Sequence, residues 1–408
     1  MTAWVPPSNT ACKLKWTWST IFLNSATTKS CYHNPVSKFN TQTFDFHNIP
    51  IKVEDRRQML AGEWPAGCNY CSRTESLGGK SDRQSQNEIP THLPHDTELV
   101  TEPKILEVFF NNTCNLSCIY CGPALSSTWA EETRKFGSIT DSVRSEPFEL
   151  NKKEYTNTVE QFFIWLTANK HQIDRINVLG GEPFLLSETD RLVDALSMDT
   201  SNIELNLVSN LMIPRELFVR KVDKLVKLVN NKNVSQVSIL ASIDGWGKEV
   251  DFQRYGIDRG LWLDNFNTLL STPEITLGIN LALTCLSISS LPELITMWNT
   301  WNQVREVGLQ GNRVFNPSFL APEVLPARLN KHYFEQALDL ISEDTWYKRW
   351  SKERFSSLIS ILDKYPEGNQ KEMLKLKTFL DDISRRREVD WTKVFPDIAR
   401  ELTNKETI

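Results

Sequence analysis

The chain has 408 residues, enough for two or three domains, and its hydrophobic (40%) and charged (24%) fractions are ordinary for a soluble globular protein. A net charge of −5 argues against a large nucleic-acid-binding surface, and no apolar run is long enough to cross a membrane. The chain does not open with a basic segment followed by an apolar one, so we expect no signal peptide and a cytoplasmic location.

Four cysteines mark the first part of the chain. Cys12, Cys31, Cys68 and Cys71 have the spacing C-x18-C-x36-C-x2-C, and clustered cysteines in such a chain indicate metal or redox chemistry rather than disulfides. Four thiolates suit a structural zinc ion or a closed 4Fe-4S cluster, and the spacing does not choose between them. Residues 1–100 are therefore predicted to be a small metal-stabilised domain that includes a polar linker at 78–96.

Strands and helices alternate from residue 104 onwards. Six repeated strand–helix units indicate a parallel α/β sheet with right-handed crossovers, here a partial (β/α)6 TIM-like barrel over residues 101–324, with its site at the carboxyl ends of the strands. Strands are predicted at 105–111, 176–180, 203–210, 234–244 and 275–285 with a sixth inside 305–319, and helices at 157–171, 188–197, 216–231, 261–271 and 291–304.

Residues 325–408 are predicted to be a helical C-terminal extension that packs on the barrel, because Leu, Ile and Phe recur there at helical spacing. Two local basic groups, Lys221, Lys224 and Lys227 on one predicted helix and the adjacent Arg385, Arg386 and Arg387 on another, are interpreted as solvated helix faces.

A second set of cysteines follows the first barrel strand. Cys114, Cys118 and Cys121 lie in a C-x3-C-x2-C spacing, and three thiolates can hold a 4Fe-4S cluster while leaving one iron open to a substrate or cofactor. The alternative is a closed zinc site that takes a fourth ligand from elsewhere, such as His171 or Cys285. Cys285 falls on an apolar strand face, which indicates a core residue instead.

Two further patterns favour the open cluster. The next strand ends at Gly180-Gly181-Glu182-Pro183, where glycines let a ligand approach the backbone and acceptors suit an ammonium group. Several strands have one polar and one apolar face, which indicates a ligand-filled barrel interior. The polar face has Asn206, Asn210, Ser242, Asp244, Thr276, Asn280 and Thr284, and the apolar face has Leu205, Leu207, Ile239, Ala241, Ile243, Leu277, Ile279, Leu281 and Leu283.

At these residues the chain resembles the radical S-adenosylmethionine (radical SAM) superfamily. The resemblance is carried by CNLSCIYC (114–121), GGEP (180–183), LVSN (207–210), SIDG (242–245) and RYG (254–256). It implies a 4Fe-4S cluster on Cys114, Cys118 and Cys121 whose open iron binds S-adenosylmethionine (SAM). It further implies contacts to SAM from Tyr120, Gly180, Gly181, Glu182, Asn210, Ser242, Asp244 and Arg254.

The resemblance also implies the reaction. One electron from the reduced cluster cleaves SAM to methionine and a 5′-deoxyadenosyl radical, which abstracts hydrogen from a substrate C–H bond. The N-terminal cysteines resemble the twitch (SPASM-like) module, although Ala26 stands where that module has a glycine and the module usually follows the barrel. This resemblance favours an auxiliary 4Fe-4S cluster over zinc on Cys12, Cys31, Cys68 and Cys71.

Three functions are compatible with these patterns. The leading one is modification of a peptide or protein side chain, with an electron donor such as flavodoxin or ferredoxin and without membrane or nucleic-acid partners. The second is dehydrogenation or epimerisation of a small metabolite, and the third is a non-catalytic zinc- or cluster-binding protein. Zinc without SAM cleavage would identify the third.

Overall fold

The computed structural model describes residues 4–76, 80–89, 98–139 and 150–403. Parts of the predicted linker, residues 78–79 and 90–96, lie outside these ranges. Within them, no helix is long and apolar enough to cross a membrane.

One mostly parallel sheet organises the chain. Its order is β11-β10-β8-β7-β6-β4-β1-β2-β3, and a separate two-stranded ribbon pairs β5 with β9. The strands are β1 (Trp18–Phe22), β2 (Thr27–Lys29), β3 (Ser37–Lys38), β4 (Ile105–Phe109), β5 (Ser117–Cys118), β6 (Arg175–Leu179), β7 (Glu204–Ser209), β8 (Gln236–Ser242), β9 (Arg254–Tyr255), β10 (Ile275–Leu283) and β11 (Gly308–Arg313). Strands β4, β6, β7, β8, β10 and β11 pair in parallel in chain order, which confirms an α/β fold of the partial-barrel kind.

Helices connect the parallel strands and continue after the last one. The predicted helix at 291–304 is confirmed residue for residue, and the other predicted helices lie within longer or slightly shifted ones. The helices are α1 (Leu14–Thr17), α2 (Pro50–Leu60), α3 (Asn69–Ser76), α4 (Asp82–Glu88), α5 (Ser127–Phe136), α6 (Lys152–Asn169), α7 (Ser187–Leu196), α8 (Arg215–Asn230), α9 (Lys248–Gln253), α10 (Arg259–Leu270), α11 (Leu291–Val304), α12 (Ala327–Leu340), α13 (Trp346–Leu362), α14 (Gln370–Arg387), α15 (Trp391–Val394) and α16 (Pro396–Thr403).

The two faces of the barrel strands differ as the sequence predicts. Alternate residues face opposite sides of a strand, and all nine predicted apolar-face residues, from Leu205 to Leu283, are buried. Cys285 is buried as well. Several of the interleaved residues, such as Asn206 on β7 and Ser238 on β8, are only partly buried. The apolar face therefore packs against the helices, and the other face lines an accessible lumen.

The described part of residues 4–100 shares the barrel's sheet and part of its core, while residues around Cys12 and Cys68 form a separate small cluster. Strand β1 pairs in parallel with β4, and β2 and β3 extend the sheet beyond it. Phe44 and Phe46 pack on Phe162 and Trp165 of α6, with ring centroids 6.4 and 4.8 Å apart respectively. Apolar residues near β1 thus belong to the same core as the barrel strands.

The predicted linker is partly a helix. Residues 82–88 form α4, which begins at a capping box in which Ser81 and Gln84 each bond the other's backbone amide. Arg83 from this helix donates to the carbonyl oxygen of Ala11 and pairs with Glu75. The polar composition of 78–96 suggested a loop, but local capping and these contacts stabilise a helix.

The two edges of the sheet approach one another. Phe315 follows β11 at one edge, and its ring centroid lies 5.9 Å from that of His33 and 6.2 Å from that of Tyr70. His33 lies between β2 and β3, at the opposite edge, and Tyr70 of α3 stacks on it with ring centroids 3.8 Å apart. The sheet is therefore strongly curved, and the N-terminal segment covers the gap that six barrel strands leave.

The C-terminal helices form two groups. Helices α12 and α13 pack on α11 and β11 and join the barrel core. Helices α14, α15 and α16 form a second core with Ile119, Trp129 and Phe252. The interpretation of Arg386 and Arg387 as solvated is wrong, because both are buried between α14 and α5.

Candidate active site

The loop with three cysteines is held by the residues that begin α5. It connects β4 to α5, and Ser126, which caps α5, also donates to the carbonyl oxygen of Leu116 (2.7 Å). Ser127 and Thr128 donate to the carbonyl oxygen of Cys114 (3.0 and 2.5 Å). The indole Nε1 of Trp129 donates to the carbonyl oxygen of Cys118 (2.7 Å). The first turn of α5 thus shapes the backbone around two of the thiols.

The ribbon of β5 and β9 joins the cysteine loop to the RYG segment. Cys118 is the register partner of Arg254, and Ser117 is that of Tyr255. The Arg254 Nη1 lies 3.9 Å from the Sγ of Cys118. The antiparallel pairing therefore places a cation beside one predicted cluster ligand, although 136 residues separate the two in sequence.

The GGEP turn docks directly on the cysteine loop. Gly180 and Gly181 both have positive φ (79° and 56°), and the amide of Glu182 donates to the carbonyl oxygen of Thr113 (2.8 Å). A Cβ on Gly181 would overlap that same carbonyl group, and one on Gly180 would overlap the ring of Phe109. Backbone conformation and close approach both require glycine here.

The Glu182 carboxylate is buried and accepts hydrogen bonds from other residues of the chain. Its Oε1 accepts from Ser209 Oγ (2.8 Å) and the Phe184 amide (3.0 Å), and its Oε2 accepts from the Asn210 amide (2.6 Å). Burial raises its pKa to about 7, because desolvation outweighs these three donors. The resemblance implies a contact between Glu182 and SAM, and that contact stays a prediction. In the structure this carboxylate joins the GGEP turn to the end of β7.

Asn210 reaches the cysteine loop from the end of β7. Its Nδ2 donates to Asn115 Oδ1 (3.1 Å) and lies 3.7 Å from the Sγ of Cys114. Ser242, predicted for the same site, ends β8, is mostly buried, and accepts at its carbonyl oxygen from the Trp262 indole (3.3 Å). Asn210 is thus close to a predicted cluster ligand, and Ser242 lies on the neighbouring strand.

Asp244 and Arg254 form a buried ion pair. Arg254 Nη2 donates to Asp244 Oδ1 (2.9 Å), and Arg254 Nε lies 2.8 Å from Asp244 Oδ2. The amide of Ala282 and the hydroxyl of Tyr120 also donate to this carboxylate (both 2.7 Å). Burial raises the pKa of Tyr120 well above its usual value, so the phenol keeps the proton that it donates. The resemblance implies separate SAM contacts from these three residues, which stay predictions, and the structure connects the three into one network.

The three thiols have the environment of a metal-binding set. Burial and the neighbouring Cys118 raise the pKa of Cys114 to about 12, and burial also raises the pKa of Cys118. Such thiols stay protonated until a metal displaces the protons. Three soft donors, a glycine turn packed against them and Arg254 beside Cys118 fit a cluster with an open iron and a bound ligand.

The lumen beneath this site has a polar level and an apolar level. The polar level is one set of register partners across six strands: Thr20, Glu107, Asn177, Asn206, Ser238 and Thr276. Asn206 Nδ2 donates to Asn177 Oδ1 (3.0 Å), and Thr20 donates to Glu107 (2.6 Å). The next level towards the cysteine loop contains Phe22, Phe109, Leu179, Val208, Leu240, Gly278 and Gly308, of which Phe22 and Phe109 stack at 4.5 Å.

Three of the predicted lumen residues, Asn210, Asp244 and Thr284, lie beyond the ends of their strands. Thr284 is buried beyond the end of β10, where its hydroxyl donates to the Gln253 side chain (2.6 Å). Asp244 lies beyond β8 in the ion pair with Arg254. Strand alternation stops where a strand stops, so it does not place residues beyond the strand.

The four N-terminal cysteines line one small cavity. Cys12, Cys31, Cys68 and Cys71 surround it together with Lys15, whose Nζ donates to Asn34 (3.0 Å) and pairs with Asp55. Burial raises the pKa of Cys12 to about 12 and that of Cys68 to about 11. These thiols suit a metal centre, because they release their protons when a metal binds.

In the described ranges, no group of three or more His, Cys, Asp or Glu side chains is arranged to hold a single metal ion. A cubane cluster binds each thiolate at a separate iron, so its ligands need not converge on a single point. The metal at either cysteine set stays a prediction.

Sequence reasoning missed several residues around the cysteine loop. Ser126 and Trp129 had a detectable signal, since a serine followed by a helical pattern predicts a helix start. Asn115 and Ser209 had none, because their roles depend on contacts with distant parts of the chain.

The family comparison agrees with this geometry. Residues 108–272 match the model of the radical SAM superfamily, a segment that runs from β4 to α10 and includes the cysteine loop, the GGEP turn and Arg254. The chain therefore contains a radical SAM domain, which is a domain of enzymes. No curated protein matches the chain by sequence.

Several solved structures have a weak similarity to this chain. SuiB from Streptococcus suis bound to S-adenosylmethionine is 15% identical (TM-score 0.39), with 75% of this chain and 64% of that one covered. SuiB bound to precursor peptide SuiA is 14% identical (TM-score 0.39; 81% and 70% covered). Native anSMEcpe with bound AdoMet and Cp18Cys peptide is 13% identical (TM-score 0.36), and the match spans 61% of each chain.

Proposed function

We propose that this chain is a radical SAM enzyme that modifies a peptide or protein side chain with help from an auxiliary 4Fe-4S cluster. The observation that carries the proposal is the docking of the GGEP turn and the Asp244–Arg254 pair on a loop with three thiols. When bound, the cluster and SAM supply a one-electron cleavage that yields a radical able to take hydrogen from a C–H bond.

The chain's own residues bind and orient SAM. Cys114, Cys118 and Cys121 hold the cluster, and the carbonyl groups of Gly180 and Gly181 are the acceptors for the SAM amino group. Glu182 holds that turn in place through Ser209 and Asn210. Arg254 provides the positive charge for the SAM carboxylate, with Asp244 fixing its orientation.

The lumen is the substrate compartment. Its apolar level lies between the SAM site and the polar level, so a substrate there can place a C–H bond next to SAM with water excluded. The amides of Asn177 and Asn206 match the donors and acceptors of a peptide. Glu107 is acidic, so this level suits a phosphorylated metabolite poorly, which favours the peptide over the small-molecule alternative.

The N-terminal cysteines are assigned to the auxiliary cluster. They line one cavity at the side where the N-terminal segment covers the gap in the barrel, and a closed four-thiolate cluster can relay electrons. Reduction of the loop's cluster needs a low-potential donor such as a flavodoxin or ferredoxin, in keeping with a cytoplasmic enzyme.

Anaerobic reconstitution tests the proposal. We expect about eight irons per chain, four for each cluster, and formation of 5′-deoxyadenosine when dithionite and SAM are added. Cys118→Ala should abolish this product, whereas Cys71→Ala should lose about half of the iron and keep some SAM cleavage. Stoichiometric zinc without SAM cleavage would contradict the proposal.

The substrate class is tested separately. Candidate peptides and metabolites carrying deuterium are incubated with the enzyme and SAM, and deuterium transfer into 5′-deoxyadenosine is measured by mass spectrometry. Transfer from a metabolite and from none of the peptides would support the second function, a small-molecule dehydrogenase or epimerase.

A further inference from the structure

The last turn of α14 reaches the back of the cysteine loop. Arg387, the final residue of that helix, is 6% exposed and lies between two aromatic rings. Its guanidinium carbon is 5.0 Å from the ring centroid of Trp129 and 4.7 Å from that of Tyr255. A cation between two aromatic faces is held in a fixed position.

Both aromatic residues contact the backbone around Cys118. Trp129 donates its indole N–H to the Cys118 carbonyl oxygen (2.7 Å), and Tyr255 is the register partner of Ser117. Arg387 therefore approaches the predicted ligand from the protein side, whereas Arg254 approaches it along the β5–β9 ribbon.

The guanidinium of Arg387 is incompletely satisfied. Its Nε donates to Glu132 Oε2 (3.2 Å), and Nη2 lies 3.1 Å from the same oxygen. Among the described residues, Nη1 and Nη2 have no well-directed hydrogen-bond acceptor, and neither does Glu132 Oε1 have a donor. Burying such groups costs free energy, and that cost is expected where the charge serves another purpose.

We propose that Arg387 is a positioning residue that raises the reduction potential of the cluster held by Cys114, Cys118 and Cys121. The inference rests on the proposed function of that loop. One-electron reduction by an external low-potential donor adds one negative charge to the cluster, and a fixed cation in a buried, low-dielectric position stabilises that charge. Helix α14 is then part of the active site.

Glu132 allows a second test of the proposal, in which the reduction potential should shift in the opposite direction. Its carboxylate partly offsets the Arg387 charge, so removing the carboxylate charge should shift the potential in the opposite direction from removing the guanidinium charge. A merely structural role would not produce opposite shifts, because both changes would loosen the same contact between α14 and α5.

The test is a redox titration of the reconstituted full-length protein, followed by electron paramagnetic resonance. The signal that changes when SAM is added identifies the loop's cluster, and its loss in Cys118→Ala confirms the assignment. Arg387→Met should lower the midpoint potential and Glu132→Gln should raise it. Arg387→Lys, which keeps the charge, should stay near the wild-type value. Arg385→Met is the matched control, because Arg385 lies in the same turn of α14, is exposed and pairs with Asp382.

The outcomes separate the two proposals. A wild-type protein without a SAM-responsive cluster overturns the proposed function and this inference with it. A normal cluster whose potential changes no more in Arg387→Met than in Arg385→Met overturns only the role of Arg387, as do shifts of equal sign in Arg387→Met and Glu132→Gln. If Arg387→Met does not retain a cluster, the Lys and Glu132 variants still decide, since each leaves a charged or polar side chain in place.

Discussion

The Asp244–Arg254 ion pair is the most deeply buried charged contact of the candidate site. Asp244 is fully buried and accepts from Arg254, Tyr120 and the Ala282 amide. Asp244→Asn would leave the guanidinium buried without its counter-charge, so we expect a loss of about 3–5 kcal/mol in the free energy of unfolding. Urea denaturation measures this loss.

The half-exposed pair of Arg259 with Asp251 provides the control. Asp251→Asn removes the same type of charge from a solvated position, so it should cost no more than about 1 kcal/mol. Equal losses in the two variants would show that burial of the Asp244 pair is not what makes it important.

The residues of this pair were predictable from the sequence, but their partnership was not. SIDG and RYG are visible as motifs, and each suggests a contact to SAM. Two contacts were not visible in the motifs: the one between Asp244 and Arg254, and the one from Glu182 to the end of β7. Both depend on where the ends of different strands lie in space. Motifs report residue types, whereas ion pairs report three-dimensional neighbours.

His47 gives the N-terminal segment a dependence on pH. Its ring is buried between Ser19 (2.8 Å) and the Trp16 carbonyl oxygen (3.1 Å). Burial, together with Arg56 and Lys52, lowers the pKa of His47 well below its ordinary value of 6.5. The folded protein therefore keeps the ring neutral, while the unfolded chain binds a proton as pH falls below about 6.5. Stability is lost in that direction, by up to about 1.4 kcal/mol per pH unit.

Unfolding free energies between pH 7.5 and 5.5 measure this effect. His47→Gln removes the titrating group, so its stability should fall less steeply than that of the wild type below about pH 6.5. Parallel slopes for the two proteins would assign the acid sensitivity to other groups.

At the scale of elements, the contact between the GGEP turn and the cysteine loop is the most restrictive. Gly181 combines a positive φ with a position where a Cβ overlaps the Thr113 carbonyl group. Gly181→Ala should therefore cost more than the about 1–2 kcal/mol of a left-handed alanine alone, and it should reduce iron binding to the loop. Iron content per chain and urea denaturation measure the two effects.

Gly137 provides a control that separates the cost of backbone conformation from the cost of steric overlap. It also has a positive φ (85°), at the end of α5, and no atom of the described residues lies within 4 Å of its Cβ position. Gly137→Ala should cost about 1–2 kcal/mol and leave the iron content unchanged. Normal iron binding in Gly181→Ala would mean that the turn does not shape the loop.

Long periodic elements were predictable, and short ones were not. The first five barrel strands and their helices follow alternation and helical periodicity over many residues, whereas the sixth strand was placed only within 305–319. Strands β5 and β9 have two residues each, too few for any period, and they form only because the cysteine loop meets the RYG segment. Helix α14 was predicted as a helix, but its burial of Arg386 and Arg387 was not, since charges on a helix usually face solvent.

At the scale of the whole molecule, the N-terminal segment extends the barrel instead of standing apart from it. Strand β1 lies beside β4 in parallel, and the rings of His33 and Tyr70 approach Phe315 at the far edge. The cysteine count predicted a small unit stabilised by a metal. The pairing of β1 with β4 was not predicted, because composition cannot show which strand a short segment will pair with. The domain boundaries at 100 and 324 stay a prediction.

This shared sheet has a consequence for unfolding. Ile21 on β1 is fully buried in the barrel core, so Ile21→Ala should lower the free energy of unfolding by about 2–5 kcal/mol. Because β1 pairs with the barrel strand β4, the loss should appear in the main cooperative transition, followed in urea by both tryptophan fluorescence and circular dichroism. Ile51→Ala is the control, since Ile51 is 51% exposed on α2 in the same segment and should change stability by less than about 0.5 kcal/mol. A loss confined to a separate early transition would show instead that the N-terminal segment unfolds independently and that the sheet does not couple it to the barrel.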